Sequence, residues 1–255
     1  MKPTQPAIKV ENLFAGYGNT SIIENVNFEV FKGEVFVIIG GSGCGKSTLL
    51  KHMIGLLPPV SGDVIILGEN LSQAFGKDKD LILQKIGVAF QSGALFGSMT
   101  VMENITLLLK EFTRLPDPII EDIALLKLQL VGLEKSAFLM PGELSGGMKK
   151  RAALARAMAL DPSIIFLDEP SAGLDPITSA ELDHLVTDLA RNLGITFVIV
   201  THELASIETI SDRIIMLEKS AKGIVATGTP EQLKNDRSNP YVYNFFNRTI
   251  TKGKK

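Results

Sequence analysis

The stretch Gly40-Gly41-Ser42-Gly43-Cys44-Gly45-Lys46-Ser47-Thr48 constrains this chain more than any other, because of what stands on either side of it. Before it lies the apolar run Glu34-Val35-Phe36-Val37-Ile38-Ile39, and after it the helix-forming Leu49-Leu50-Lys51-His52-Met53. A buried strand, a glycine turn and a helix start follow one another. The spacing fits GxxxxGK(S/T): glycines let backbone N–H groups converge on phosphate oxygens, and the helix N-terminus adds positive potential. Lys46 then reaches the β- and γ-phosphates and Ser47 holds Mg²⁺. An ordinary Gly/Ser-rich turn does not require strand, motif and helix together, so the stretch reads as a phosphate-binding loop. It does not say which nucleoside-triphosphate machine carries it.

A chain of 255 residues with 45% apolar content is long enough for one large α/β domain or two small ones. Lys+Arg 26 against Asp+Glu 28 gives a net charge of -2, which offers no broad basic face to nucleic acid. The single cysteine, Cys44, has no partner for an internal disulfide and occupies a variable position of the motif, where a small filler suffices. A reduced, cytoplasmic setting is the expectation. Residues 1–6 lack the apolar core of a signal peptide, and no run approaches the roughly 18 apolar residues of a membrane span. The expectation is a chain that neither crosses a membrane nor is exported, and that remains free to dock onto one.

From Ala7 to Phe31 apolar and polar residues alternate, with turns at Gly16, Gly18 and Asn19 and at Lys32-Gly33. This predicts antiparallel strands flanking the first parallel strand. Further strands are expected at 63–68, 85–90, 164–167 and 195–200, the last two as near-continuous apolar runs typical of a buried parallel sheet. Helical periodicity covers 102–114, 118–131 and 146–160, which reads as a helical insertion, and helices at about 176–192 and 204–210 alternate with the later strands. Residues 72–80 read as a solvated loop or a helix start. The C-terminal Tyr241-Val242-Tyr243-Asn244-Phe245-Phe246 is either a last helix packed on its own domain or an interface for another subunit, and the tail Lys252-Gly253-Lys254-Lys255 is a solvated end.

Ile164-Ile165-Phe166-Leu167-Asp168-Glu169 sets two carboxylates at the end of a buried strand, where an open α/β sheet binds its ligands. Asp168 is placed to hold Mg²⁺, and Glu169 to orient and deprotonate an attacking water. Ser145 is a helix N-cap with Gly146 and Gly147 keeping the turn open, so this helix start can face an anion. Lys149, Lys150 and Arg151 in that first turn oppose the helix dipole, which points to an anion or acidic partner nearby or to a solvated face. Gln91 and His202 each end a buried strand; His202 is either structural or, beside Thr201, a group that reaches a γ-phosphate. Tyr17, in a turn upstream of the phosphate loop, either packs or stacks on a base.

Taken together these residues resemble the nucleotide-binding subunit of an ATP-binding-cassette (ABC) transporter. In chain order, Tyr17, Gly40 to Thr48, Gln91, Leu144-Ser145-Gly146-Gly147-Met148, Ile164 to Glu169, Ser171-Ala172-Gly173-Leu174-Asp175 and His202 match the A-loop, Walker A, Q-loop, signature, Walker B, D-loop and H-loop. The resemblance implies an α/β fold: a P-loop NTPase (RecA-like) core with an N-terminal antiparallel β subdomain and an inserted α-helical subdomain. The ABC ATPase domain would span 7–235, with the helical part at about 94–160, followed by a C-terminal extension at 236–255.

It implies ATP and Mg²⁺ as ligands and a head-to-tail homodimer in which ATP lies between the Walker A of one copy and Ser145 and Gly147 of the other. Tyr17 becomes an adenine-stacking residue, and Ser47, Gln91 and Asp168 become the Mg²⁺ set. Glu169, His202, Lys46 and Gln91 become the catalytic group. The sequence departs from the family at Met148, where Gln is usual and whose side chain lacks the amide's hydrogen-bonding groups. Glu203, after the H-loop histidine, replaces the commoner Asp.

A narrower resemblance rests on Gln91-Ser92-Gly93-Ala94-Leu95-Phe96, Met99-Thr100-Val101, Glu103-Asn104, the signature and Arg151 to Ala157. It is to the ATPase of Mla/Mce-type phospholipid transport systems of Gram-negative envelopes. That implies a transmembrane permease, an MCE-domain lipid-binding protein and, in some systems, a STAS-domain partner, with this chain peripheral on the cytoplasmic face of the inner membrane. The C-terminal aromatic segment would suit a contact with another subunit or the STAS partner. The rival class, a soluble ABC-type ATPase acting on nucleic acid or ribosomes, generally carries long coiled coils or two cassettes, and neither occurs here. An ABC subunit for another substrate is the other alternative, while a phosphate-loop kinase leaves the signature and D-loop unexplained.

Overall fold

A computed structural model describes residues 6–18 and 20–248. Residues 1–5, Asn19 of the first turn and the tail Lys252-Gly253-Lys254-Lys255 lie outside the described residues. The apolar run before the phosphate loop forms β3 (Val35–Gly40), buried at every position. Its side chains alternate between two cores, Val35, Val37 and Ile39 entering one and Phe36 and Ile38 the other. A strand covered on both faces has no use for a polar face, which is why its sequence is continuously apolar.

β6 (Ile86–Ala89), β7 (Ile164–Asp168), β8 (Thr196–Val200), β9 (Arg213–Glu218) and β10 (Gly223–Gly228) complete a six-stranded sheet in the order β10-β9-β3-β8-β7-β6. Every neighbouring pair is parallel except β10 with β9. In register, Val200 lies opposite Ile38 on one side and Asp168 on the other. The chain therefore leaves β3, β7 and β8 at the same edge of the sheet.

β9 and β10 were not among the strands expected from the sequence, although Ile214-Ile215-Met216-Leu217 is as buried and apolar as the central runs. A polar contact joins β9 to the start of β3 besides the backbone ladder. Arg213 makes a two-pronged ion pair to Glu34 at 2.7 and 2.9 Å, donates to the Glu29 carbonyl, and lies over the rings of Phe31 and Phe36.

β1 (Pro6–Tyr17) and β2 (Thr20–Phe31), expected as antiparallel strands flanking the first parallel strand, pair antiparallel with each other and not with β3, as the N-terminal antiparallel subdomain requires. With β4 (Ser61–Ile66) and β5 (Glu69–Asn70) they form a separate antiparallel sheet in the order β2-β1-β4-β5. Their alternating pattern buries one face and leaves the other wet, which suits an outer layer and not the centre of a parallel sheet. This layer covers one face of the six-stranded sheet through Ile8, Val10, Leu13 and Val64, together with α1 (Lys46–Met53).

The opposite face is covered by helices. The expected helices of the insertion run Val101–Phe112 (α3), Asp117–Leu130 (α4) and Gly146–Ala157 (α5), after a short α2 (Gly76–Leu83) that begins within the ambiguous 72–80 stretch. α3 starts with a capping box, the Glu103 N–H donating to Thr100 Oγ1 and the Thr100 N–H to Glu103 Oε2. Buried Asn104 stitches the preceding turn, accepting from the Phe96 N–H and donating to the carbonyls of Phe96, Met99 and Thr100. α6 (Pro176–Leu193) and α7 (Leu204–Ile210) follow, then α8 (Pro230–Asn235) and α9 (Pro240–Asn247). α9 sinks Val242 and Phe246 into the same core, so the aromatic segment packs on its own domain. Among the described residues, no helix is long and apolar enough to cross a membrane.

Phe166 is fully buried two positions before Asp168 and ties the strand that carries the carboxylates to the antiparallel layer. Phe166→Ala is expected to cost about 3–5 kcal/mol, read as a lower urea midpoint with an unchanged slope.

Candidate active site

The loop Gly40 to Thr48 is shaped by positive φ angles and close packing. Gly40 has φ 150, and a Cβ there would stand 2.4 Å from the Leu217 carbonyl and 2.6 Å from Cys44 Sγ. Gly45 has φ 105 and starts α1 without any side-chain cap, which leaves the first N–H groups of that helix for an anion. Cys44 is buried in the core as a small apolar filler. Lys46 folds back over the loop, its ammonium donating to the carbonyls of Gly40 at 2.9 Å and Gly41 at 3.3 Å. Ser42, Gly43 and Ser47 stay exposed, and Thr48 is buried.

Tyr17 ends β1 beside α1, half exposed, with the Lys51 ammonium 5.8 Å from its ring centre and 3.4 Å from its hydroxyl. A hydrogen bond with the Thr48 side chain, helped by Lys51, holds its phenol below the usual range.

Asp168 and Glu169 stand at the end of β7. Glu169 takes a left-handed backbone, φ 48, as its N–H donates to the Val200 carbonyl at 2.8 Å. That turn points Glu169 Oε1 at His202 Nδ1, 2.9 Å away, and leaves Oε2 buried without a hydrogen-bond partner. Asp168 Oδ1 is likewise buried and unpartnered. Burial, with Glu169 beside it, pushes the Asp168 carboxyl above its ordinary range against the pull of Lys51, Lys46 and Lys150. His202 is mostly exposed, and the Glu203 N–H caps back onto Thr201 Oγ1.

Lys149, Lys150 and Arg151 were left open by the sequence between a solvated face and a nearby anion or acidic partner, and Lys150 faces inward. Its ammonium donates to the Gln91 carbonyl at 2.5 Å and to the Glu169 carbonyl at 3.2 Å, within its own chain. Desolvation draws its pKa down while Glu169 and Asp168 hold it up. Arg151 turns the other way, to Glu181 at 2.7 Å. Tyr241 carried no expectation toward the site, yet its hydroxyl accepts the Gly41 N–H at 3.3 Å.

Ser145 caps α5, accepting the Met148 N–H at 3.2 Å. Gly147 is needed within the chain itself, since a Cβ there would meet Thr178 at 2.4 Å. Met148 packs against the helical core, an apolar use for the position where an amide is usual. Among the described residues, no hydrogen bond joins Ser145, Gly146 or Gly147 to the phosphate loop of the same chain. Asp175 is the N-cap of α6, accepting from the Ile177 and Thr178 N–H groups.

A parallel sheet whose central strand runs into a glycine loop, with two carboxylates and a histidine on the ends of adjacent strands, defines a phosphate-loop nucleoside triphosphatase. The ABC transporter family profile matches residues 23–172. The probable ribonucleotide transport ATP-binding protein mkl of Mycobacterium leprae is 42% identical over 96% of this chain and 70% of its own length. The intermembrane phospholipid transport system ATP-binding protein MlaF of Haemophilus influenzae is 40% identical over 90% of this chain and 86% of its own. Among solved structures, cbiO1 of Clostridium perfringens, part of the ABC transporter complex cbiONQ, superimposes with a TM-score of 0.83 at 29% identity, covering 91% of this chain and 92% of that one. The ATP-binding cassette MJ0796, a dimer in a post-hydrolysis state bound to ADP and Pi, gives 0.79 at 31% identity over 88% and 98%. The chain belongs to the ABC transporter family, and its enzymatic activity is ATP hydrolysis.

A carboxyl whose pKa is raised by folding adds stability below its unfolded pKa, and that contribution is lost as pH rises through the folded value. Asp168→Asn, which cannot ionise, should therefore raise the melting temperature of the nucleotide-free protein at pH 7. The difference should shrink as the pH falls toward about 4, as followed by thermal denaturation across that range.

Proposed function

We propose that this chain powers phospholipid movement between membranes, hydrolysing ATP at sites shared by two copies on the cytoplasmic face of the inner membrane. The observation that carries the catalytic part is the 2.9 Å contact between His202 Nδ1 and Glu169 Oε1 beside the half-buried Asp168. Glu169 keeps one unpartnered oxygen with which to orient and deprotonate water, and His202 holds its other oxygen while presenting its exposed ring edge to a γ-phosphate. Lys46 and the loop amides carry the phosphates, and Tyr17 offers a ring face to adenine.

Asp168, the Ser47 hydroxyl and the Gln91 amide are hard oxygen donors of the sort Mg²⁺ takes, and the orphaned Asp168 Oδ1 suits a cation. Bound there, Mg²⁺ neutralises charge on the phosphates.

The exposed Ser145 and Gly146, free of their own phosphate loop, fit the completion of a second copy's site, as the dimeric MJ0796 suggests. Phospholipid as cargo is supported by the likeness to MlaF, whereas mkl bears a ribonucleotide name. A permease is expected at the cavity of about 420 Å³ where Phe96, Leu108 and Phe112 face Leu83 and Arg156. Phe96 and Phe112 are half exposed there, on the segment that leads away from Gln91. An MCE-domain protein and a STAS-domain protein complete the proposed partners.

Glu169→Gln should retain ATP binding while losing about 10²–10⁴ in turnover, and should accumulate an ATP-bound dimer on size-exclusion chromatography. Adding Ser145→Arg should return that dimer to monomers that still bind ATP; a surviving dimer would count against shared sites. A permease and an MCE-domain protein should co-purify with the chain from membranes, and Phe96→Asp should lose both while the purified protein keeps its ATPase activity. Recovery of ribosomal or DNA-repair proteins instead would overturn the transport reading.

A further inference from the structure

Helix α5 holds the segment after Gln91 from both ends. Lys150 bonds the Gln91 carbonyl, and nearly two turns later Arg156 donates to the carbonyls of Ala94 at 2.5 Å and Gly93 at 3.3 Å. The segment needs holding: Gly93 and Ala94 have φ of 77 and 47, and Ala94 pays a steric penalty in the left-handed region. Glu169, whose carbonyl Lys150 also reaches, is likewise left-handed at φ 48.

Three cations influence Asp168, but two are committed elsewhere. Lys46 lies on the carbonyls of its own loop and Lys51 on the Tyr17 hydroxyl. Of the three, Lys150 alone reaches the backbone of Glu169, whose carbonyl also accepts the Ala172 N–H at 3.2 Å.

We infer that Lys150 is a positioning residue for hydrolysis, its ammonium fixing the strained Glu169 backbone and the Gln91 carbonyl to one helix so that the Glu169 carboxylate stays aimed. The inference rests on Glu169 being the base. Lys150 touches no reacting atom; it acts through the two carbonyls. Small displacements of a positioned group are costly, about 10²-fold in rate for 1 Å. The expected signature is a loss in kcat without a matching change in KM, because the groups that hold the phosphates are untouched.

The test is steady-state Mg-ATP hydrolysis by the purified full chain, with a binding titration of a fluorescent ATP analogue and a melting curve for each variant. Lys150→Met should lower kcat by about 10- to 100-fold with KM and analogue affinity nearly unchanged. Lys150→Arg, which keeps the charge and supplies donors for two carbonyls, should restore most of the loss. A Lys150→Met enzyme with unaltered kcat overturns the inference, and so does an equal loss in the Arg variant or a fall that follows the melting temperature. Should the Met variant fail to fold, Lys150→Gln replaces it, an intermediate kcat supporting the inference and an unaltered one overturning it. Undiminished hydrolysis by Glu169→Gln would instead strike the assignment of the base, whatever Lys150 does.

Discussion

The parallel hydrogen-bond register of β3, β8 and β7 is the constraint from which the site follows. With Ile38, Val200 and Asp168 abreast, the phosphate loop, the His202 turn and the Asp168–Glu169 pair emerge side by side without any further instruction. A slip of one residue in any of the three strands would exchange its two faces between the cores. Strands buried on both sides tolerate that exchange better than half-buried ones, so register here depends on the fit of particular side chains, Val37 and Ile39 on one face and Phe36 and Ile38 on the other.

The site concentrates negative charge where water is scarce. Asp168 and Glu169 are adjacent, each with an oxygen that is buried and unpartnered. Lys46 and Lys51 approach from α1 and Lys150 from α5, two separate elements. Burial and the neighbouring carboxylate make ionisation of Asp168 costly, and the Mg²⁺ proposed for this site would offset that cost.

Much of this was legible in the sequence. The continuous apolar runs at 35–39, 164–167 and 195–200 announced doubly covered strands, and Gly40 to Thr48 announced the loop between the first of them and α1. Helix limits fell within about three residues of the periodic pattern. The pattern of 7–31 revealed strands but not their sheet, because alternation says which face is wet and not which neighbour is paired. β9 was missed although its four apolar residues resemble those of β8; it pairs with β3 from far along the chain, and the ion pair of Arg213 with Glu34, 179 residues apart, gives no local signal. The same holds for Lys150. A basic first turn is visible in sequence, but the carbonyls of Gln91 and Glu169 that it bonds come from distant loops, and backbone acceptors leave no mark on residue identity.

β3 has consequences for how the chain is made. Both strands that pair with it, β8 and β9, come from the last quarter of the sequence, and the tyrosine that meets the Gly41 amide comes later still. On a chain synthesised from its N-terminus, the strand carrying the phosphate loop waits with two open edges for more than 150 residues of further translation. These are long loop closures, which slow folding and prolong exposure of unpaired strand edges. Nucleotide capture is thus reserved for finished molecules: a truncated product would possess the whole phosphate-binding motif and lack the sheet that gives it shape.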